Sequence, residues 1–337
     1  MRRMLFVTNG HGETAIAARI AAEIARLGAG TLGLDLFPVV GLGGGAAPLT
    51  VVGPRRTMPS GGLVAMGNVR AFSRDLAAGF VGLFARQLAF LTSLPEYDAV
   101  VAVGDAYALA LALCARKATI FVGTAKSVHV APYGPLERVL MRRALRTFVR
   151  DAETAERLRS QGVAAEAPGN VIVDLIGPAS EEAPAGIWLG LLPGSREAAY
   201  ADGVHLARVA RELGKLRPDV GGLFSVAPTL EAGRFASALA ADGWELAPSS
   251  GAEIAFCARS GPSRLLGWRG DLGGLLASSV AVLGQAGTGN EQAAACGVPV
   301  VALDRTERSR TGGGADWYRM RQRRLLGDAL LLAPADP

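Results

Sequence analysis

The feature that most limits what this chain can fold into is an alternation that runs through it. Short apolar or β-branched runs are separated by longer stretches rich in Ala, Arg and Glu. This is the pattern of parallel βαβ units, whose strands are buried on both faces and whose helices form the crossovers. Met4 to Thr8 reads as the first strand, Asn9-Gly10-His11-Gly12 as a turn, and Glu13 to Leu27 as an Ala-rich helix ended by Gly28. Further strands are expected at Leu49–Val52, Ala99–Val103, Ala118–Val122 and Thr147–Val149, with a long helix near Val69–Leu91.

The alternation lapses between Ile176 and Ile187 into a Pro/Gly/Ser/Glu stretch without periodicity. It then restarts with strands at Trp188–Leu192, Gly222–Val226, Val280–Leu283, Val298–Leu303 and near Leu330–Leu332, and helices near Val204–Leu216, Leu230–Ala241 and Asn290–Cys296. The expected organisation is α/β: two doubly wound, Rossmann-like domains at 1–176 and 188–337, joined by a linker at 177–187. A chain of 337 residues is long enough for two such cores. In such sheets ligands bind beyond the carboxyl ends of the strands, so the chemistry is expected in a cleft between the domains.

Composition narrows the partners. Lysine occurs only at Lys117, Lys126 and Lys215, so the net charge of +5 is carried by arginine and favours anionic partners such as phosphates or acidic lipid surfaces; no nucleic-acid partner is expected. Cys114, Cys257 and Cys296 form no CxxC pair, which argues against a disulfide framework or zinc site and fits a reducing cytoplasm. No stretch reaches the roughly 20 apolar residues of a membrane span, so any membrane contact is expected to be peripheral, on the inner face.

Four stretches carry candidate chemistry. Gly284-Gln-Ala-Gly287-Thr288-Gly289, between a strand and a helix starting near Asn290, presents backbone N–H groups able to hold phosphate without a metal; Glu291 can accept from ribose hydroxyls. A tight turn and a favourable helix dipole would explain the same residues. Gly194-Ser195-Arg196, in the string LLPGSR, offers backbone, hydroxyl and guanidinium to the same diphosphate. Thr8-Asn9-Gly10-His11-Gly12-Glu13 places a histidine after the first strand as a candidate general base. Asp105, ending a later strand, can be the base itself or orient His11, or simply cap the helix that follows.

Other features argue less. Gly41-Leu-Gly43-Gly-Gly45-Ala46 mimics a dinucleotide fingerprint, but Pro48 and a strand follow at once and leave no room for the required helix. His129 and His205 have no companions at ligand spacing, so no metal is expected. Phe72, Leu76, Phe80, Leu83, Phe84, Leu88 and Leu91 fall on helical spacing, either for a membrane interface or acyl groove or for packing on a sheet. Arg55-Arg56 and the run Arg138 to Arg146 can meet anionic lipid or form a solvated face.

Taken in order, NGHGE, GPRRTMPSGG at Gly53–Gly62, VGD at Val103–Asp105, FVGTAKS at Phe121–Ser127, FVRDAETAERL at Phe148–Leu158, LLPGSR and GTGNEQAAACGVP resemble the lipid A disaccharide synthase-related glycosyltransferases over most of the chain. The resemblance implies a GT-B fold and inverting, metal-independent transfer from a UDP-sugar, with no cofactor, to a lipid-linked acceptor. It implies donor binding by Gly194, Ser195, Arg196, Gly287, Thr288, Gly289, Asn290 and Glu291. Catalysis is expected from His11 or Asp105, and acceptor-side contacts from Asn9, Gly10, Gly12, Glu13, Ser60 and Lys126. NGHGE differs from the loop of the synthase itself, and the chain stops soon after its last expected strand, where GT-B proteins usually continue through crossing helices. A UDP-sugar 2-epimerase or hydrolase of GT-B fold, and an inactive lipid or nucleotide-sugar binder, are the alternative expectations.

Overall fold

The computed structural model describes residues 2–28, 32–44, 47–56, 76–94, 96–177, 184–195, 197–249, 251–302 and 314–333, without the side chains of His11 and 314–319. The chain divides into two compact units, Met1–Leu175 and Ile176–Pro337.

The first unit holds a seven-stranded, wholly parallel sheet in the order β3-β2-β1-β4-β5-β6-β7. Its strands are β1 (Arg2–Thr8), β2 (Leu32–Pro38), β3 (Thr50–Val51), β4 (Ala99–Gly104), β5 (Ala118–Gly123), β6 (Arg146–Val149) and β7 (Ala165–Glu166). Its helices are α1 (His11–Leu27), α2 (Phe80–Thr92), α3 (Ala106–Cys114), α4 (Pro135–Met141) and α5 (Ala152–Ser160). Successive strand residues feed opposite cores. Leu5, Val7, Val100, Ala102 and Phe121 join Leu91, Leu109, Met141 and Leu158 on one face, while Phe6, Val101 and Val103 meet Ile16, Ala17 and Ala21 of α1 on the other.

In the second unit the order is β10-β11-β12-β9-β8-β13-β14-β15. The parallel part comprises β8 (Ile187–Leu192), β9 (Val220–Ser225), β12 (Ser263–Trp268), β13 (Ser279–Gly284), β14 (Val300–Ala302) and β15 (Leu330–Leu332). The helices are α6 (Ala199–Leu216), α7 (Ala232–Ala241), α8 (Leu272–Ser278), α9 (Thr288–Ala295) and α10 (Gly314–Leu326). The expectation of two doubly wound α/β sheets holds, with one addition. β10 (Glu245–Ala247) and β11 (Ile254–Ser260) pair antiparallel, and β11 turns into β12 through Gly261-Pro262, with Gly261 at φ 57°. Phe224, fully buried, packs edge-on to Phe235 at 4.9 Å and lies 5.7 Å from Phe256, joining helix, sheet centre and hairpin in one core. A buried Phe contributes about 1.5–3 kcal/mol.

The apolar helix expected near Val69–Leu91 is described from residue 76. Leu83, Gln87 and Leu91 of α2 are buried, and the Gln87 amide donates to Val39 O at 2.8 Å, so this stretch packs on its sheet. Among the described residues no helix is long and apolar enough to cross a membrane.

Candidate functional site

Each sheet has one place where the chain leaves its first strand in one direction and returns on the other side. In the first unit this switch lies between β1 and β4, in the second between β8 and β13. Loops diverge at such points and leave a crevice beyond the carboxyl ends of the strands.

At the first switch Asn9 and Asp105 meet: Asn9 Nδ2 donates to Asp105 Oδ2 at 2.9 Å. The other oxygen, Oδ1, accepts from the backbone N–H groups of Tyr107 and Ala108 at 3.0 and 3.1 Å, capping α3. Asp105 therefore caps α3, as one of its two sequence readings has it, while its second oxygen faces Asn9 at the switch point. Gly10 precedes α1 at φ 156°, and a side chain there or at Gly104 would run into Glu13, which places Glu13 beside both glycines. Gly12 is exposed on the first turn. His11 opens α1, but its side chain lies outside the described residues, as does Ser60.

Lys126 is engaged in an ion pair with Glu137. Its Nζ meets Glu137 Oε2 at 2.8 Å, and the same oxygen accepts from Gly134 N at 2.6 Å, so Lys126 steadies the start of α4. Among the described residues, three buried polar atoms of the first unit, Asn9 Oδ1, Tyr107 OH and Tyr133 OH, have no hydrogen-bond partner. Burial, then the charge of Asp105, pushes the Tyr107 hydroxyl up to about 12; burial and then Glu137 push Tyr133 up as well. Both remain protonated donors at neutral pH. Buried polar groups of this kind take an ordered water, an ion or another molecule as their partner.

His129, for which the sequence offers no companions, acquires them in space. Ligand atoms of His129, Asp151 and Glu153 lie within 4.8 Å of one another, although His129 and Glu153 are exposed and Asp151 already caps α5 through Thr154 N.

At the second switch the strings LLPGSR and GTGNE come side by side, because β8 and β13 are paired with Leu192 opposite Gly284. The N–H groups of Gln285 and Ala286 both donate to Leu192 O, at 2.9 and 3.1 Å, which binds one loop to the other. Gly194, at φ 105°, and Gly287 have open space where a side chain would stand, and Ser195, Gly287 and Thr288 are exposed. Gly289 and Glu291 are half-buried in the first turn of α9. Arg196 lies outside the described residues.

Asn290 is turned inward rather than toward a ligand. It is fully buried, and its Nδ2 donates to Gly284 O at 3.2 Å and to Gln322 Oε1 at 3.1 Å. Gln322, on α10, was not singled out from the sequence. Its Nε2 donates to the carbonyls of Ala286 and Gly287 at 3.0 and 3.1 Å. Nothing local in the sequence signals this role, since Gln322 stands 35 and 36 residues from its partners. With two loop carbonyls held by Gln322, the loop is fixed with the start of α9 available to an anion.

Gly284 shows how tightly the loop is built. A methyl group there would collide with the Asn290 amide, which its two hydrogen bonds hold in place. Gly284→Ala is expected to destabilise the protein by about 1–3 kcal/mol, read as a lowered denaturation midpoint in urea. An unchanged midpoint would show that the Asn290 amide is free to move.

No family model matches the chain, and no curated protein matches it in sequence. Solved structures do match. UDP-GlcNAc 2-epimerase from Methanocaldococcus jannaschii superposes with a TM-score of 0.55 at 14% identity, over 98% of this chain and 88% of that one. Phytolacca americana UGT2, solved with UDP-2-fluoro-glucose and pterostilbene, gives 0.54 at 11% identity over 100% and 86%. MurG from Acinetobacter baumannii gives 0.51 at 10% identity over 99% and 86%. At such identities the likeness is one of fold, and the chain has the two-domain α/β architecture of the GT-B type.

Proposed function

We propose that the protein is an inverting, metal-independent glycosyltransferase that moves a sugar from a UDP-sugar to a lipid-linked acceptor. The observation that carries this reading is the coupling of two glycine loops at the β8/β13 switch point, with α9 starting at Thr288 in the second of them. The diphosphate lies against the N–H groups of Gly287, Thr288 and Gly289, with Ser195 and Arg196 on the other loop, and Glu291 accepts from the ribose. The acceptor hydroxyl loses its proton to Asp105 or His11 and its oxygen bonds to the anomeric carbon. The bond from that carbon to the diphosphate oxygen breaks, and the charge on departing UDP is met by donors already in position.

A membrane-side acceptor is supported by the surface of the first unit. Leu136, Val139 and Leu145 are 74%, 51% and 63% exposed within ten residues of chain that also expose Arg142 and Arg143. Aliphatic side chains among arginines suit the headgroup region of an anionic bilayer.

Thermal-shift screening of UDP-sugars, then incubation of the stabilising one with lipid extract, tests the reading. Stabilisation and a new glycolipid are expected, and a protein that no UDP-sugar stabilises would count against it. Activity is expected to persist in EDTA. Loss that Mg²⁺ or Mn²⁺ restores would overturn metal independence and direct attention to His129, Asp151 and Glu153. A second reading, a UDP-sugar 2-epimerase, is favoured by the likeness to the M. jannaschii enzyme. Conversion of UDP-sugar without an acceptor would select it.

A further inference from the structure

The strands β5 and β6 lie inside the seven-stranded sheet, yet among the described residues only one of their faces is fully buried. Thr119, Phe121, Thr147 and Val149 are buried on the side of α3, α4 and α5, whereas Ile120, Val122 and Phe148, which alternate with them, are only half-buried. Interior strands of a parallel sheet are ordinarily buried on both faces. Over this face the first unit forms a cavity of about 620 Å³, bounded by Ile20 and Ile24 of α1, by Met4 and Val101 of the sheet, and by the chain at 168–174. That volume falls within the range of small-molecule sites.

The lining is graded. Along the strands it is aliphatic and aromatic, and beyond the carboxyl ends of β5, β6 and β7 it becomes polar, with Thr124, Arg150 and Asn170. The other charged lining residue, Asp174, sits toward α1, where its carbonyl accepts from Arg19 Nε at 3.2 Å. One residue of the polar end adjoins the strand that carries the candidate site: Thr124 N donates to the carbonyl of Gly104, the residue before Asp105, at 3.1 Å.

We propose that this cavity holds the single acyl chain of an anionic lipid, with the chain along Ile120, Val122 and Phe148 and a phosphate-type headgroup at Arg150. The proposal rests on the lipid-acceptor reading and specifies it. An apolar trough with one cationic end matches an amphiphile of opposite charge, because the chain leaves water while the headgroup keeps a guanidinium partner. The headgroup end lies at the carboxyl edge of the same sheet as Asp105, and an acceptor anchored in this way would extend its hydroxyl along that edge to the first switch point.

The test uses n-dodecyl phosphate, below its micellar concentration, titrated calorimetrically into the full chain. One-to-one binding is expected. Val122→Trp, which fills the middle of the cavity, should weaken it at least tenfold while UDP binding is unchanged. Ile120→Phe is a milder variant should Val122→Trp fail to fold. Arg150→Gln should weaken dodecyl phosphate at least tenfold more than n-dodecanol. Absent binding, binding that neither filling variant weakens, or a dimer that either variant dissociates, which would place a second copy on this face, each overturns the proposal. The titration contains no UDP-sugar, so a failed transfer reaction leaves a positive result standing. Unimpaired transfer to lipid by a folded filling variant would overturn the cavity assignment and leave the transferase reading intact.

Discussion

Asp105→Asn is expected to lower turnover of UDP-sugar and lipid acceptor by about 10² or more, with little change in melting temperature. The substitution removes the carboxylate but not the helix cap, since Asn caps helices as well as Asp does. The new amide N–H₂ replaces the oxygen that accepts from Asn9 Nδ2, and a flip of the Asn9 amide restores the bond by turning to it Asn9 Oδ1, which is buried without a partner among the described residues. A fall in rate in this variant therefore reports on the carboxylate and not on the fold. Asp105→Ala would confound the two, because losing the bonds to Tyr107 and Ala108 costs about 1 kcal/mol. His11→Ala is expected to lower turnover comparably if the imidazole takes the proton. If both variants kept full rates on the true substrates, the base would have to be sought elsewhere.

Gln322→Leu is expected to weaken UDP binding at least tenfold by calorimetry. Three hydrogen bonds disappear, two from the amide to Ala286 O and Gly287 O and one accepted from Asn290. The bonds to Asn290 and Ala286 O are part-buried, where a group left unsatisfied costs about 1–3 kcal/mol, and 1.4 kcal/mol is already tenfold in affinity. Gln322→Glu serves as a control of mechanism: it keeps the acceptor for Asn290 but cannot donate to the loop carbonyls at neutral pH, so it should bind UDP as poorly as the Leu variant. A purely structural role would lower the melting temperature of both variants and leave their UDP affinity at the wild-type value once folded.

Much of the candidate site at the second switch point was legible in the chain because it is built from contiguous strings. A strand, a glycine turn and a helix in immediate succession fix their own local geometry, so Gly194, Ser195 and Gly287–Gly289 could be placed at strand ends by inspection. Asn290 stands in the same string but points the other way, since helical periodicity turns it under the loop against Gly284. The hairpin β11–β12 carried a Gly261-Pro262 turn signal, yet its flanking runs are short and the antiparallel edge of the second sheet went unexpected.

By itself the sequence determined the alternation of elements, and hence two parallel-sheet α/β units, because the apolar period is a local property that each segment carries without reference to the others. Only the tertiary structure decided which segments became neighbours. Strand order set β1 beside β4 and so brought Asn9 to Asp105 across 96 positions; it set β8 beside β13 and so joined the two glycine loops. The same packing delivered Gln322 to the loop carbonyls, and it left Ile120, Val122 and Phe148 lining a cavity where their pattern alone called for a covered strand face. Periodicity fixes which face of an element is apolar, but what that face meets depends on contacts between residues far apart in the chain, which no local pattern encodes.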